Sequence, residues 1–75
     1  MEFNQELDAR GLFCPEPVMM LHERMPDMAE GEVLKVLATD PSTTRDIPQF
    51  CRFLGHALIH QEERDDLFIY FIRRA

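Results

Sequence analysis

The sequence predicts a two-layer α/β sandwich, in which two helices cover one face of a four-stranded mixed sheet in the order βαβαββ. Three observations lead there. Segments with helical spacing alternate with segments of strand character. The run "EVLKVLA", residues 32–38, carries valines and leucines on both faces, as an interior strand does. The last two apolar runs flank an acidic turn, "ERDD", like the arms of a hairpin.

Each element has its own local reason. Residues 3–9, "FNQELDA", read as a strand with Phe3, Gln5, Leu7 and Ala9 on one face. "RGLF" is a loop. A helix is expected from about Pro15 to Met25, because proline suits a first helical position, where its missing N–H is no loss. Pro26 ends or kinks that helix, and "AEGE" closes the turn. After the second strand, "TDPSTTRD" offers Asp40, Ser42, Thr43 and Asp46 as capping residues. A second helix should cover Thr43 to Leu54, with Ile47, Phe50, Cys51 and Leu54 forming one apolar stripe. Pro48 fits that helix only near its first turn, and Gly55 is a natural stop. "ALIHQEE" and "LFIYFIR" complete the sheet. A right-handed crossover then makes the first two strands parallel.

Bulk composition narrows the function. A chain of 75 residues is one domain, too small to enclose a deep active site. Chemistry is expected near the surface, completed by a partner's pocket. No apolar run approaches a membrane span, and "MEFNQELDAR" lacks the features of a signal peptide, so the cytoplasm is the expected compartment. The net charge is −6, with seven arginines, the single lysine Lys35 and no basic run. Direct nucleic-acid binding is disfavoured, and the acidic balance suits solubility or docking onto a basic protein surface.

Chemistry concentrates in "GLFCPEPVMM", residues 11–20. With Pro15 as first helical residue, Cys14 becomes the N-cap, at the positive end of the helix dipole. A thiolate is stabilised there, so the Cys14 pKa is expected below the ~8.5 of a free cysteine. Arg10 adds positive charge from the loop, and Glu16 opposes ionisation. Pro15 and Pro17 stiffen the turn, and the N–H groups of Glu16 and Val18 are the nearest donors. Cys51, on the apolar stripe, reads as core and not as a resolving partner.

The segments "LDARGLFCPEPVMML", "GEVLKVLATDPSTTRDIPQFC" and "LFIYFIRR" resemble the TusA/SirA-like family of small sulfur-carrier proteins over residues 7–74. The specific signature is Cys-Pro-x-Pro preceded by Leu-Asp-x-x-Gly-x-x. The resemblance implies a two-layer α/β sandwich with Cys14 as the cysteine that carries a persulfide. It also implies a cysteine desulfurase as donor and a DsrE-like relay complex as acceptor, with the sulfur ending as thiouridine at a tRNA wobble position. No cofactor is expected on this chain, since the pyridoxal phosphate belongs to the desulfurase. Arg10 and the helix end would stabilise the sulfur anion, and Gly11 would admit a partner's backbone.

Other constellations are weaker. Cys51, His56 and His60 have a faint metal-site spacing, but fall in three different elements. His22 lies eight helical residues from Cys14, ~12 Å along the axis, too far for a Cys–His pair. Met19, Met20, Met25 and Met28 read as core filling, or in part as an adaptable docking surface. Two other functions stay open: a paralogue serving sulfur oxidation or selenium metabolism, and a regulatory module in which Cys14 is incidental.

Overall fold

The computed structural model describes residues 1–75. It contains β1 (Gln5–Ala9), α1 (Glu16–Arg24), a single 3-10 turn (Met25–Asp27), β2 (Val33–Ala38), α2 (Thr43–Leu54), β3 (Ala57–Arg64) and β4 (Leu67–Arg73). The sheet order is β1-β2-β4-β3. β1 runs parallel to β2, with Leu7 opposite Val36 and Ala9 opposite Ala38. The β2–β4 and β3–β4 pairs are antiparallel. This is the four-stranded mixed sheet with two helices that the sequence predicts.

The core lies between the helices and one sheet face. Leu7, Leu34, Val36, Ala38, Tyr70 and Ile72 meet Leu21 and Met25 of the first helical segment and Ile47, Phe50 and Cys51 of α2. Burial of apolar surface at these positions drives the fold. One polar tie crosses the core: the Thr43 hydroxyl and the Tyr70 phenol lie 2.9 Å apart, and both residues are buried. The opposite face of the sheet carries no helix. There the Phe3 and Phe71 rings stand 6.1 Å apart, and the Lys35 Nζ sits 5.1 Å from the Phe3 centroid.

Four expectations change. Phe3 precedes β1 and packs on Phe71, across the sheet from Leu7 and Ala9, because Asn4 already binds Val33 through both its backbone N–H and its side-chain Oδ1. Pro15 is the N-cap of α1 rather than its first residue. Pro48 is the sixth residue of α2, beyond the first turn. Its ring forgoes the hydrogen bond to the Thr44 carbonyl, and Thr44 is exposed, so that carbonyl opens to solvent. Leu54, at the end of the apolar stripe, is 41% exposed. Pro26 acts as expected: α1 ends at Arg24 and tightens into the 3-10 turn. Gly55 caps α2 with φ +79°, and the His56 N–H bonds back to the Cys51 carbonyl.

Candidate functional site: a cysteine loop pinned to the second helix

Parallel pairing decides where the site forms. β1 and β2 end side by side at Ala9 and Ala38, so the loops that follow them emerge at the same end of the sheet. The two loops are tied together. The Gly11 N–H donates to Thr39 Oγ1 at 2.9 Å, and the Cys14 N–H donates to Asp40 Oδ2 at 2.8 Å. Asp40 also accepts from the Ser42 N–H at 3.1 Å and the Ser42 hydroxyl at 2.8 Å. Its carbonyl accepts from the Thr43 hydroxyl at 2.8 Å. One carboxylate thus joins the cysteine loop to the start of α2 and sets the first turn of that helix, with Arg45 and Asp46, beside the sulfur.

Cys14 is exposed. It stands one residue outside the α1 cap, and the Cys14–Pro15 peptide is cis. The Glu16 N–H turns to the Phe13 carbonyl at 2.9 Å, so that donor is not left for the sulfur. The expected lowering of the thiol pKa does not occur. Instead the Cys14 pKa is raised above its ordinary value. The Asp46 carboxylate is the main cause, as an acceptor for the S–H; partial desolvation and the Asp46 charge add to it. The Arg45 charge and the Ser42 hydroxyl pull the other way. The α1 dipole is one residue too far away, and a carboxylate from α2 dominates.

The other predicted site residues are placed as follows. Arg10 is engaged with Asp8, through Nε and Nη2 at 2.9 Å each, which holds the Asp8 carboxyl down to about 2. Its charge is directed there and not at the sulfur. Gly11 has φ +80°, and a Cβ built on it would meet nothing within 4 Å. Backbone conformation, not crowding within the chain, is what calls for glycine there. Pro15 and Glu16 are exposed at the helix start, while Pro17 is buried and belongs to the packing. Phe13 and Met19 stand exposed on either side of the cysteine in sequence, at 71% and 54%. Of the methionines, Met25 and Met28 are core and Met20 packs on its edge.

Cys51 is buried, which pushes its thiol up to about 11. His22 stands edge-on to Phe50, with ring centroids 4.8 Å apart. His56 Nδ1 accepts from the Ala75 N–H, and His60 pairs with Glu62. Cys51, His56 and His60 do not come together as a ligand set. A cleft of about 140 Å³ between His22, Phe50, Leu54, His56 and Arg74 lies away from Cys14, which lines none of the surface hollows.

Sequence reasoning treats Asp40, Ser42 and Asp46 as helix caps and passes over Arg45, yet all four surround Cys14. The signal was available: two parallel strands joined by a crossover must release their following loops at one end. An exposed cysteine in such a frame, with a cation and hydroxyl close by and no pocket of its own, suits transfer of a small group between protein surfaces.

The comparisons with known proteins point the same way. Residues 5–74 match the family described as Sulfurtransferase TusA. The chain is 61% identical over 69 residues to the sulfur carrier protein TusA of Pseudomonas syringae, covering 92% of this chain and 82% of that one. It is 62% identical over 68 residues to the protein of the same name from Pseudomonas aeruginosa, covering 91% and 86%. The crystal structure of a SirA-like protein from Desulfitobacterium hafniense superposes with a TM-score of 0.83 at 22% identity, covering 93% of this chain and 96% of that one, which bears on the fold alone. With the match running over almost every residue of the sheet, both helices and the cysteine loop, the chain belongs to the TusA sulfurtransferase family.

Proposed function

We propose that the protein is a sulfur carrier that accepts sulfane sulfur on Cys14 from a cysteine desulfurase and passes it to a DsrE-like relay complex, the sulfur ending as thiouridine at a tRNA wobble position. The carrying observation is the exposed Cys14, pinned by Asp40 at an open edge, in a sulfurtransferase family whose other cysteine here is buried. The Cys14 thiolate attacks the outer sulfur of the donor's cysteine persulfide. A sulfur–sulfur bond forms at Cys14, the donor's breaks, and the donor cysteine leaves as a thiolate. The Cys14 proton goes to water or to that thiolate. The sulfur keeps its oxidation level, so the step needs neither oxidant nor reductant. Arg45 and Ser42, rather than Arg10, are the groups placed to favour the sulfur anion.

The net charge of −6 and the absence of a basic run support a role confined to protein partners, with no direct hold on tRNA and no membrane association. No helix is long and apolar enough to cross a membrane. Phe13 and Met19 offer the apolar part of a docking surface beside the sulfur. Incubation with a cysteine desulfurase and cysteine, followed by intact and peptide mass spectrometry, tests the reading. One added sulfur on Cys14 is expected. Sulfur mainly on Cys51, or none, would overturn it, and tight specific tRNA binding in a gel shift would remove the protein-only role.

A further inference from the structure

We propose that the cleft at the end of the sandwich opposite Cys14 is a binding site for a small organic carboxylate with an apolar body, such as an aryl carboxylate. The inference is separate from the carrier reading, since Cys14 lines no part of this cleft. Topology sets its place. β4 ends at Arg73 beside Val33 and Ala57, the first residues of β2 and β3. Both helices run back to the same end, where α1 stops at Arg24 and α2 at Leu54. The cleft there holds about 140 Å³. A cavity of about 150 Å³ takes a ring the size of benzene.

The lining supplies a group for each part of such a ligand. Met25, Phe50 and Leu54 make the apolar wall; the first two are buried and Leu54 is exposed. Arg74 supplies the charge. Its Nε donates to the Met25 carbonyl at 2.9 Å and its Nη1 to the Ala75 carbonyl at 2.8 Å, which fixes the guanidinium. Its Nη2 has no acceptor within the chain and stays open to solvent. No Asp or Glu side chain pairs with Arg74 and none lines the cleft, in a chain with fourteen acidic residues. His56 adds a second donor: its Nδ1 accepts from the Ala75 N–H at 3.0 Å, so the proton sits on Nε2. The His22 ring, edge-on to Phe50, adds a further polar edge. Carbonyls at the helix ends would oppose an anion. Here the Met25 carbonyl is taken by Arg74, and the Cys51 carbonyl by the Gly55 and His56 N–H groups. A carboxylate is the acceptor that a guanidinium and an imidazole N–H can hold together.

The experiment is an amide NMR titration of the whole chain with sodium benzoate at neutral pH and constant ionic strength. Saturable shifts are expected at Leu54, His56 and Arg74, with residues 11–16 unmoved. Benzamide, the same shape without the charge, should bind about tenfold more weakly, as for the loss of a charge-assisted hydrogen bond. Acetate, the charge without the ring, should also bind more weakly than benzoate. Arg74→Gln should weaken benzoate as much as the loss of its charge does. Leu54→Asp, at an exposed position, puts a carboxylate into the wall and should do the same, and it serves should the Arg74 variant not fold. Absence of a saturable shift, benzamide or acetate binding as tightly as benzoate, shifts centred on the cysteine loop, or binding that survives Leu54→Asp would overturn the proposal. Sulfur loading of Cys14, measured separately, reports on the carrier reading alone.

Discussion

The two cysteines of this chain both resist ionisation, for opposite reasons. Cys14 is exposed and is held protonated mainly by a neighbouring carboxylate, Asp46. Cys51 is buried in α2 among the core residues, and desolvation alone carries its pKa to about 11. The difference teaches that a raised pKa does not by itself mark an inert thiol. Removing the protonating influence at Cys51 means unfolding the core; at Cys14 it means moving one half-buried side chain in the first turn of α2. The first is a structural commitment, the second an adjustable setting.

The largest effect that could break this comparison is in reactivity. A thiol reagent should modify Cys14 promptly in the folded protein and Cys51 only through unfolding. The rates should differ by a factor on the order of 10³ or more, following the fraction unfolded. Titration with a chromogenic disulfide should count one fast thiol natively and two in denaturant; two fast thiols in the native state would break it. Stability comes next. Cys51→Ser should cost about 1–2 kcal/mol in denaturant unfolding, because it places a hydroxyl in the core. Cys14→Ser should stay within about 0.5 kcal/mol.

The opposition of charge and burial extends to acid stability. Burial, aided by the Arg74 charge, lowers the His56 pKa from 6.5, so the unfolded chain takes up that proton more readily than the folded one. Stability from this group is present above pH 6.5 and lost as pH falls through the folded value. Hydrogen bonds lower three carboxyls from 3.8: Arg10 holds Asp8 down to about 2, the Cys14 amide and the Ser42 hydroxyl and amide lower Asp40, and Arg45 lowers Asp46. Their contribution is full above the unfolded value and declines as pH drops towards about 2. Thermal midpoints against pH should fall in these two windows, and His56→Gln should erase the upper one. The smallest effect serves as a control far from both thiols. Asp65 and Asp66 sit at φ 50° and 65° in the two-residue β3–β4 turn. Asp66→Gly should stabilise by about 0.5–1 kcal/mol and leave both thiol reactivities unchanged.

Much of this was legible in the sequence. Period-two patterning located β1, the apolar run after the acidic turn located β4, the Ile47–Phe50–Cys51 stripe located α2, and Gly55 its end. Pro15 and Pro48 were misplaced within their helices because proline's preference for a first turn is a tendency that tertiary packing overrides. The site was half legible. Cys14 between a glycine-bearing loop and two prolines stood out as the candidate position, and the structure leaves it exposed. Its electrostatics were not, because local reading looked along the chain to Arg10 and Glu16. The deciding groups, Ser42, Arg45 and Asp46, come from the start of α2 and are brought beside Cys14 through the β1–β2 pairing. Arg10 had a nearer partner two residues back, Asp8.

The Asp40 clamp has a consequence for how fast partners are met. Exposed loops at binding edges often have to be ordered on contact, and that ordering lowers affinity and slows productive encounters. Here the amide of Cys14 and the amide and hydroxyl of Ser42 are already gathered on the Asp40 carboxylate, and the Asp40 carbonyl holds Thr43 at the start of α2. A protein docking at this edge would meet it preformed, with little entropy left to lose there. A carrier that must find a donor, leave it and find an acceptor gains most from such rigidity when each complex is weak and brief. In this chain turnover between partners would then follow encounter frequency and charge, not loop rearrangement.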